Sequence, residues 1–240
     1  MQFFLDSIFF SYAQIFFSNR KWFGMAAALT TFIVPEIGIM GLLGVSVSNA
    51  LAIYLNFDKE KIRNGFYGFN GILLASAAAF FFQLTPFLVA MILIFVMLTF
   101  LMSAALEHLM ANVFNLPGLS VPFVISLYIF IVFINTFNGI EYKPLTYLAT
   151  NGGSLLPEVV VTFFKSFALI FFQSSVISGA ALLIIVLFFS RVMFVNTIVT
   201  FAINYIFVRL IFDNPSETFI VLTSFNAILT SIALGGSMVI

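Results

Sequence analysis

Long runs of apolar residues, broken by short polar or charged clusters, set the plan of this chain. Residues 2–17 are apolar but too few to cross about 30 Å of hydrocarbon as a helix, which takes about 20 residues. They predict a half-spanning or re-entrant helix. Asn19-Arg20-Lys21 marks a surface turn, and apolar segments follow at 22–34 and 37–57, divided at Pro35-Glu36. Residues 58–63 are the most charged run and predict a solvated loop. An apolar helix over 66–82 comes next, then a turn at Gln83-Leu84-Thr85-Pro86 and a span over 87–106 ending at Glu107-His108. In Asn115-Leu116-Pro117-Gly118-Leu119-Ser120-Val121-Pro122-Phe123 two prolines flank a serine, which a regular helix cannot accommodate. Irregular backbone at membrane depth is tolerated only where protein buries it or where it lines a watery cavity. An apolar stretch at 123–137 leads into the most polar connection, 138–157. Beyond it the pattern predicts a short helix at 158–173, spans near 178–190 and 193–212, a loop at 213–217, and an apolar helix to Ile240.

Two of these helices open alike. Gly65-Phe66-Tyr67-Gly68-Phe69-Asn70-Gly71-Ile72-Leu73-Leu74 returns, altered, as Thr223-Ser224-Phe225-Asn226-Ala227-Ile228-Leu229, 156 positions on. Ala13-Gln14-Ile15-Phe16-Phe17 with Gly24 returns as Ala168-Leu169-Ile170-Phe171-Phe172 with Gly179, 155 positions on. Two echoes in one order at nearly one offset indicate an internal duplication. An Asn at the head of an apolar helix suits an N-cap, so each Phe-Asn copy predicts a helix that starts inside the membrane. Duplicated halves with interrupted helices are a transporter signature. The boundaries that follow are a first membrane repeat at 1–140, a connection at 141–156 and a second repeat at 157–240.

Composition fixes the class. The chain is 62% hydrophobic and 8% charged, with a mean hydropathy of +1.19. A soluble domain carries about 25% charged residues, so too few are present to cover a water-facing surface. The expected fold is an all-α polytopic membrane protein, its many phenylalanines mostly facing lipid. Zero net charge gives no argument for a nucleic-acid partner. The absence of cysteine excludes disulfides, thiolate catalysis and Cys-ligated metals. One histidine and no acidic cluster leave little from which to build an enzyme site, and no cofactor is expected. The first helix has neither the basic flank nor the small-residue cleavage site of a signal peptide. With five spans and a short helix in the first half, the odd count inverts the second repeat. If Arg20 and Lys21 are cytoplasmic, Lys59, Lys61, Arg63 and Arg191 fall inside, and Glu36, Glu141, Asp213 and Glu217 outside. Lys143 and Arg209 are basic exceptions. On balance the positive-inside rule then places the N-terminus in the cytoplasm.

The run Gln14-x-Phe16-Phe17-x-Asn19 with Gly24, the run Tyr67-Gly68-Phe69-Asn70, and Leu116-Pro-x-Leu-Ser-x-Pro-Phe123 together resemble the urea transporter family. Asn226 with Ala233-Leu234-Gly235-Gly236 resembles its second repeat, and the likeness covers the whole chain in the family's motif order. The resemblance implies a homotrimeric urea channel in a cell membrane, such as a bacterial inner membrane. Each protomer would carry one central pore between two inverted repeats, its filter pairing aromatic slots with a ladder of oxygen acceptors. Urea is small, planar and neutral, with N–H donors on both nitrogens and one carbonyl. Stripping water from those donors costs about 1–3 kcal/mol each unless oxygens replace it. Flat aromatic faces admit a flat solute, and the lack of a charged ring disfavours ions.

Carried onto this sequence, the resemblance makes Phe17, Phe69 and Phe225 candidate pore aromatics, Gln14, Asn70 and Asn226 polar lining groups, and Ser120 the mid-pore hydroxyl. Each has a plainer alternative. A Phe on an apolar helix packs against lipid or core, an Asn caps, a Gln bonds a neighbouring helix, and a Ser bonds back to its own helix. His108 reads as interfacial, with gating or pH sensing as the alternative. The chain also departs from the family pattern. The Asn-Asn-Pro-x-Ser/Thr-Gly turn reads Asn19-Arg20-Lys21-Trp22-Phe23-Gly24, Leu169 stands at the position of Gln14, and Thr223-Ser224 replace Tyr67-Gly68. A counterpart of Ser120 and two spans are missing from the second repeat, which predicts a fragment or a shortened relative. Beside a passive urea channel, the sequence leaves open a pore for ammonia or water, and a non-conducting scaffold or sensor module.

Overall fold

The fold is described from a computed structural model, over residues 2–110, 113, 119–144 and 156–237. Helix α1 (Gln2–Gln14) ends early, and the chain turns back at Phe17 before α2 (Lys21–Thr31). Helix α3 (Pro35–Tyr54) starts on a proline, which suits a first turn whose amides have no helical partner. The charged run predicted as a loop folds into α4 (Lys59–Arg63), because Asp58 accepts the Glu60 amide at 2.9 Å and caps it. Helices α5 (Phe69–Phe81), α6 (Pro86–Leu109) and α7 (Val121–Ile134) complete the first half. The second half runs through α8 (Glu158–Ala168), a 3-10 turn (Leu169–Phe171), α9 (Val176–Phe189), α10 (Arg191–Ile211) and α11 (Glu217–Ser237). Asn115 to Gly118 of the predicted break, and most of the polar connection, lie outside the described residues.

Helices α3, α6, α10 and α11 are each long and apolar enough to cross a membrane, and α8 with α9 forms one further candidate, bent by 77°. Helix α5 is shorter, and every residue from Asn70 to Phe80 is buried. It is apolar all round because α3, α6 and α7 pack against it. The phenylalanines do not simply face outward. Phe16, Phe23, Phe167 and Phe171 are all fully buried and join the two halves ring to ring.

That aromatic core carries the duplication. Phe16 and Phe171, equivalent in the repeat, meet each other with centroids 5.7 Å apart. The equivalent cross-pairs Tyr12–Phe171 and Phe16–Phe167 lie at 5.9 and 6.1 Å. Phe17 and Phe172 both adopt left-handed backbone, at φ 55° and 56°. A Cβ on Gly24 would stand 1.8 Å from the Phe9 carbonyl oxygen, and one on Gly179 2.0 Å from that of Phe164, so each half seats one glycine against one backbone turn. Among the described residues, two side chains then hydrogen-bond across between the halves. Arg20, just before α2, donates to the Phe189 carbonyl at the end of α9, at 2.8 Å. Gln173, just before α9, donates to the Thr31 carbonyl at the end of α2, at 2.5 Å. The start of each helix meets the end of the other, so α2 and α9 run antiparallel.

The Phe-Asn copies fold differently from the expectation. Gly68, not Asn70, occupies the N-cap of α5, and Asn70 is the second residue of that helix. Asn226 caps nothing. It lies inside the continuous helix α11 and donates back to the Leu222 carbonyl at 3.0 Å. The first copy breaks the helix with Gly65 (φ 79°) and Gly68. Val221 and Ser224 stand at the corresponding positions of the second copy, and the helix runs through.

Candidate functional site

The turn-back after α1, the start of α5, the 3-10 turn and the middle of α11 meet around a cavity of about 520 Å³. Gln14, Phe17, Phe69, Ser120, Phe225 and Asn226 line it. Most of the lining comes in pairs related by the repeat: Gln14 with Leu169, Ile15 with Ile170, Phe17 with Phe172, Phe66 with Leu222, Phe69 with Phe225, and Leu73 with Leu229. One side, from Leu119 to Leu127, is contributed by the first half alone.

Asn70 is the exception among the singled-out residues: it stands behind this lining, not on it. Its side chain, 2% exposed, donates through Nδ2 to Ser103 Oγ at 3.1 Å and to the Leu119 carbonyl at 3.2 Å. As the second residue of α5 it faces α6, and it holds a turn in which Leu119 has a φ of 43°. That turn presents Ser120, the N-cap residue of α7, whose side chain makes no capping bond. Asn226 spends its Nδ2 on Leu222, which leaves Oδ1 as its acceptor. Gln14 brings an amide to the cavity where Leu169 brings only an apolar side chain.

Phe172 escaped the sequence reading. Its ring meets Phe123, Phe80, Phe225 and Phe81 at centroid distances of 5.7, 6.3, 6.4 and 6.5 Å, which makes it the hub of the cavity's aromatic surface. The signal was present, since Phe172 is the repeat equivalent of Phe17. The repeat also relates two polar residues that it did not single out. Asn49 on α3 donates to Ser7 Oγ of α1 at 3.0 Å, and its equivalent Asn204 on α10 donates to Ser224 Oγ of α11 at 2.9 Å. Both are interhelical ties away from the cavity lining. His108 lines a separate open pocket with Lys61, Tyr67 and Glu107. Among the described residues no group of three or more His, Asp or Glu side chains is placed to hold a metal ion.

Against known families, residues 5–240 match the model described as the urea transporter. The chain belongs to the urea transporter family. It is an all-α integral membrane protein, and membership supports passive transport of urea across a membrane. The family is one of channels and transporters, not of enzymes. Ion pairs tie helix ends in this member of the urea transporter family. Lys143 pairs with Glu36 and donates to the Ala79 carbonyl at the end of α5, at 2.9 Å. Arg209 pairs with Glu158 at 2.9 Å. The two basic residues that broke the expected charge asymmetry are thus each neutralised by a carboxylate.

Proposed function

We propose that the cavity is the filter of a urea pore, formed where the two repeats meet. The observation that carries this reading is the pairwise lining, in which equivalent residues of both halves converge on one space. The rings of Phe17, Phe69, Phe172 and Phe225 supply flat faces that admit a planar solute edgewise. Gln14, Ser120 and Asn226 supply oxygens for urea's N–H groups, with Asn70 supporting Ser120 instead of serving as a rung. Among the described residues no charged one lines the cavity, so an ion entering it loses hydration without compensation.

The same reading divides the chain into a first repeat (1–140), a connection (141–156) and a second repeat (157–240). The antiparallel α2 and α9 support inverted topology. We further propose a cytoplasmic N-terminus, on the positive-inside rule, and a homotrimer in a bacterial inner membrane with each pore inside one protomer, on the family resemblance. The test is urea flux into liposomes by stopped-flow light scattering, with glycerol as the control and solubilised mass measured alongside. Fast, urea-selective re-swelling without ion or proton coupling is expected. Flux no faster than empty liposomes from a well-folded trimer would abandon the channel reading.

A further inference from the structure

Gln173 follows Phe172 directly, yet it lines no part of the cavity. Its side chain is 2% exposed and reaches across to the other half, donating to the Thr31 carbonyl at 2.5 Å, with the Thr30 carbonyl at 3.4 Å. Those carbonyls close the last turn of α2, where they accept the Ile33 and Val34 amides at 3.2 and 3.3 Å, and the Gln173 side chain adds a second donor that ties this turn to the other half. The residue before Gln173 is in the left-handed region at φ 56°, a conformation that a side chain bearing a Cβ holds only when its surroundings impose it. The Gln173 amide supplies one such constraint through its bond to the Ala168 carbonyl at 3.2 Å, and its side chain supplies a second. Between these two anchors the Phe172 ring is set against Phe80, Phe81, Phe123 and Phe225.

We propose that Gln173 is a positioning residue for selectivity: by pinning the turn after α8 to the end of α2, it fixes the Phe172 ring and hence which solute shapes pass. The inference rests on the urea-pore reading and goes beyond it. Gln173 touches no solute, and its effect passes through Phe172. The repeat supplies no copy of this brace, because Ser18 occupies the equivalent position. The half that carries Phe17 is tied instead through Arg20, which lies at the surface.

The test compares urea with N-methylurea, a solute that differs in width more than in chemistry, by flux through liposomes. Gln173→Met keeps the volume and removes the donor. It should lower the urea-to-methylurea flux ratio by about threefold or more, the scale of one lost hydrogen bond. Asn49→Leu removes a buried amide of the same kind from a tie that lines no cavity. It should lower thermal stability while leaving the ratio at the wild-type value. An unchanged ratio in Gln173→Met, or an equal shift in Asn49→Leu, overturns the inference. Should Gln173→Met fail to fold, Gln173→Glu decides, since the protonated acid can donate to the Thr31 carbonyl and the carboxylate cannot. Its ratio should then approach wild type as pH falls from about 8 to about 5, and a ratio that does not move overturns the proposal. If Phe172→Ala shifts the ratio and Gln173→Met does not, the aromatic filter stands and only the positioning role falls. Wild-type protein that carries no urea removes both.

Discussion

Two asparagines related by the duplication illustrate how one residue type serves two ends. Asn70 is buried and bridges Ser103 to the Leu119 carbonyl, whereas Asn226 lies exposed along α11 and bonds its own helix. Asn70→Ala leaves a buried hydroxyl and a part-buried carbonyl without their donor, so it should destabilise the protein by about 1–3 kcal/mol. Asn226→Ala removes only an exposed local bond, and its stability should stay within about 0.5 kcal/mol of wild type. Thermal melts of the two variants in detergent distinguish these outcomes. For transport the order reverses in kind: Asn226 would act directly as an acceptor, and Asn70 through the placement of Ser120. Of the candidate slot rings, Phe69→Ala or Phe225→Ala should each change urea flux or selectivity with expression intact. Unaltered transport in both variants would take those two rings out of the filter.

The elements were legible where composition dictates them and obscure where a single small residue does. The short α1 and α8 followed from short apolar runs, whereas 178–190, expected as a span of its own, is one arm of the bent α8–α9 pair, and the Gly24 and Gly179 echo marked the duplication that seats α2 and α9 alike. Those glycines yield a paired prediction. Gly24→Ala and Gly179→Ala each drive a Cβ into a backbone oxygen that cannot rotate away, at 1.8 and 2.0 Å. Each should cost at least about 1–3 kcal/mol through forced separation of the helices. Loss of a monodisperse peak on size exclusion would report it, and normal behaviour of both variants would refute the close approach. The start of α11 was misjudged because the Phe-Asn echo survives while the two glycines that break the first copy do not. Asn70 was placed on the cavity for a related reason. Spacing along one helix does not reveal that α6 stands on the side its second residue faces. Phe172 was not singled out as a site residue although the offset of 155 in the first echo pairs it with Phe17.

At the scale of the whole molecule, the contacts sort the charged residues into two ends: Arg20 with the end of α9, and Glu36 with Lys143 at the ends of α3 and α5. Since the natural sequence has no cysteine, single substitutions can report on sidedness without interference. Lys61→Cys and Arg191→Cys should label from one face of the membrane with an impermeant thiol reagent, and Glu36→Cys and Asp213→Cys from the other. Labelling of Arg191→Cys together with Glu36→Cys would contradict the inverted arrangement. The early endings of α1 and α8 have a consequence of their own. Both helices run into the cavity with their carboxyl ends, Gln14 from one half and the turn at 169–171 from the other. The aligned peptide dipoles of a helix leave its carboxyl end partially negative, equivalent to about half an elementary charge. The amino ends of α5 and α7, at Phe69 and Ser120, bring the opposite partial charge to the same space, so the four helix ends set a field across the cavity without placing an ion there. A neutral solute with a large dipole would align in that field, its donors toward the carboxyl ends and its acceptor toward the amino ends, with no buried charge needed to orient it.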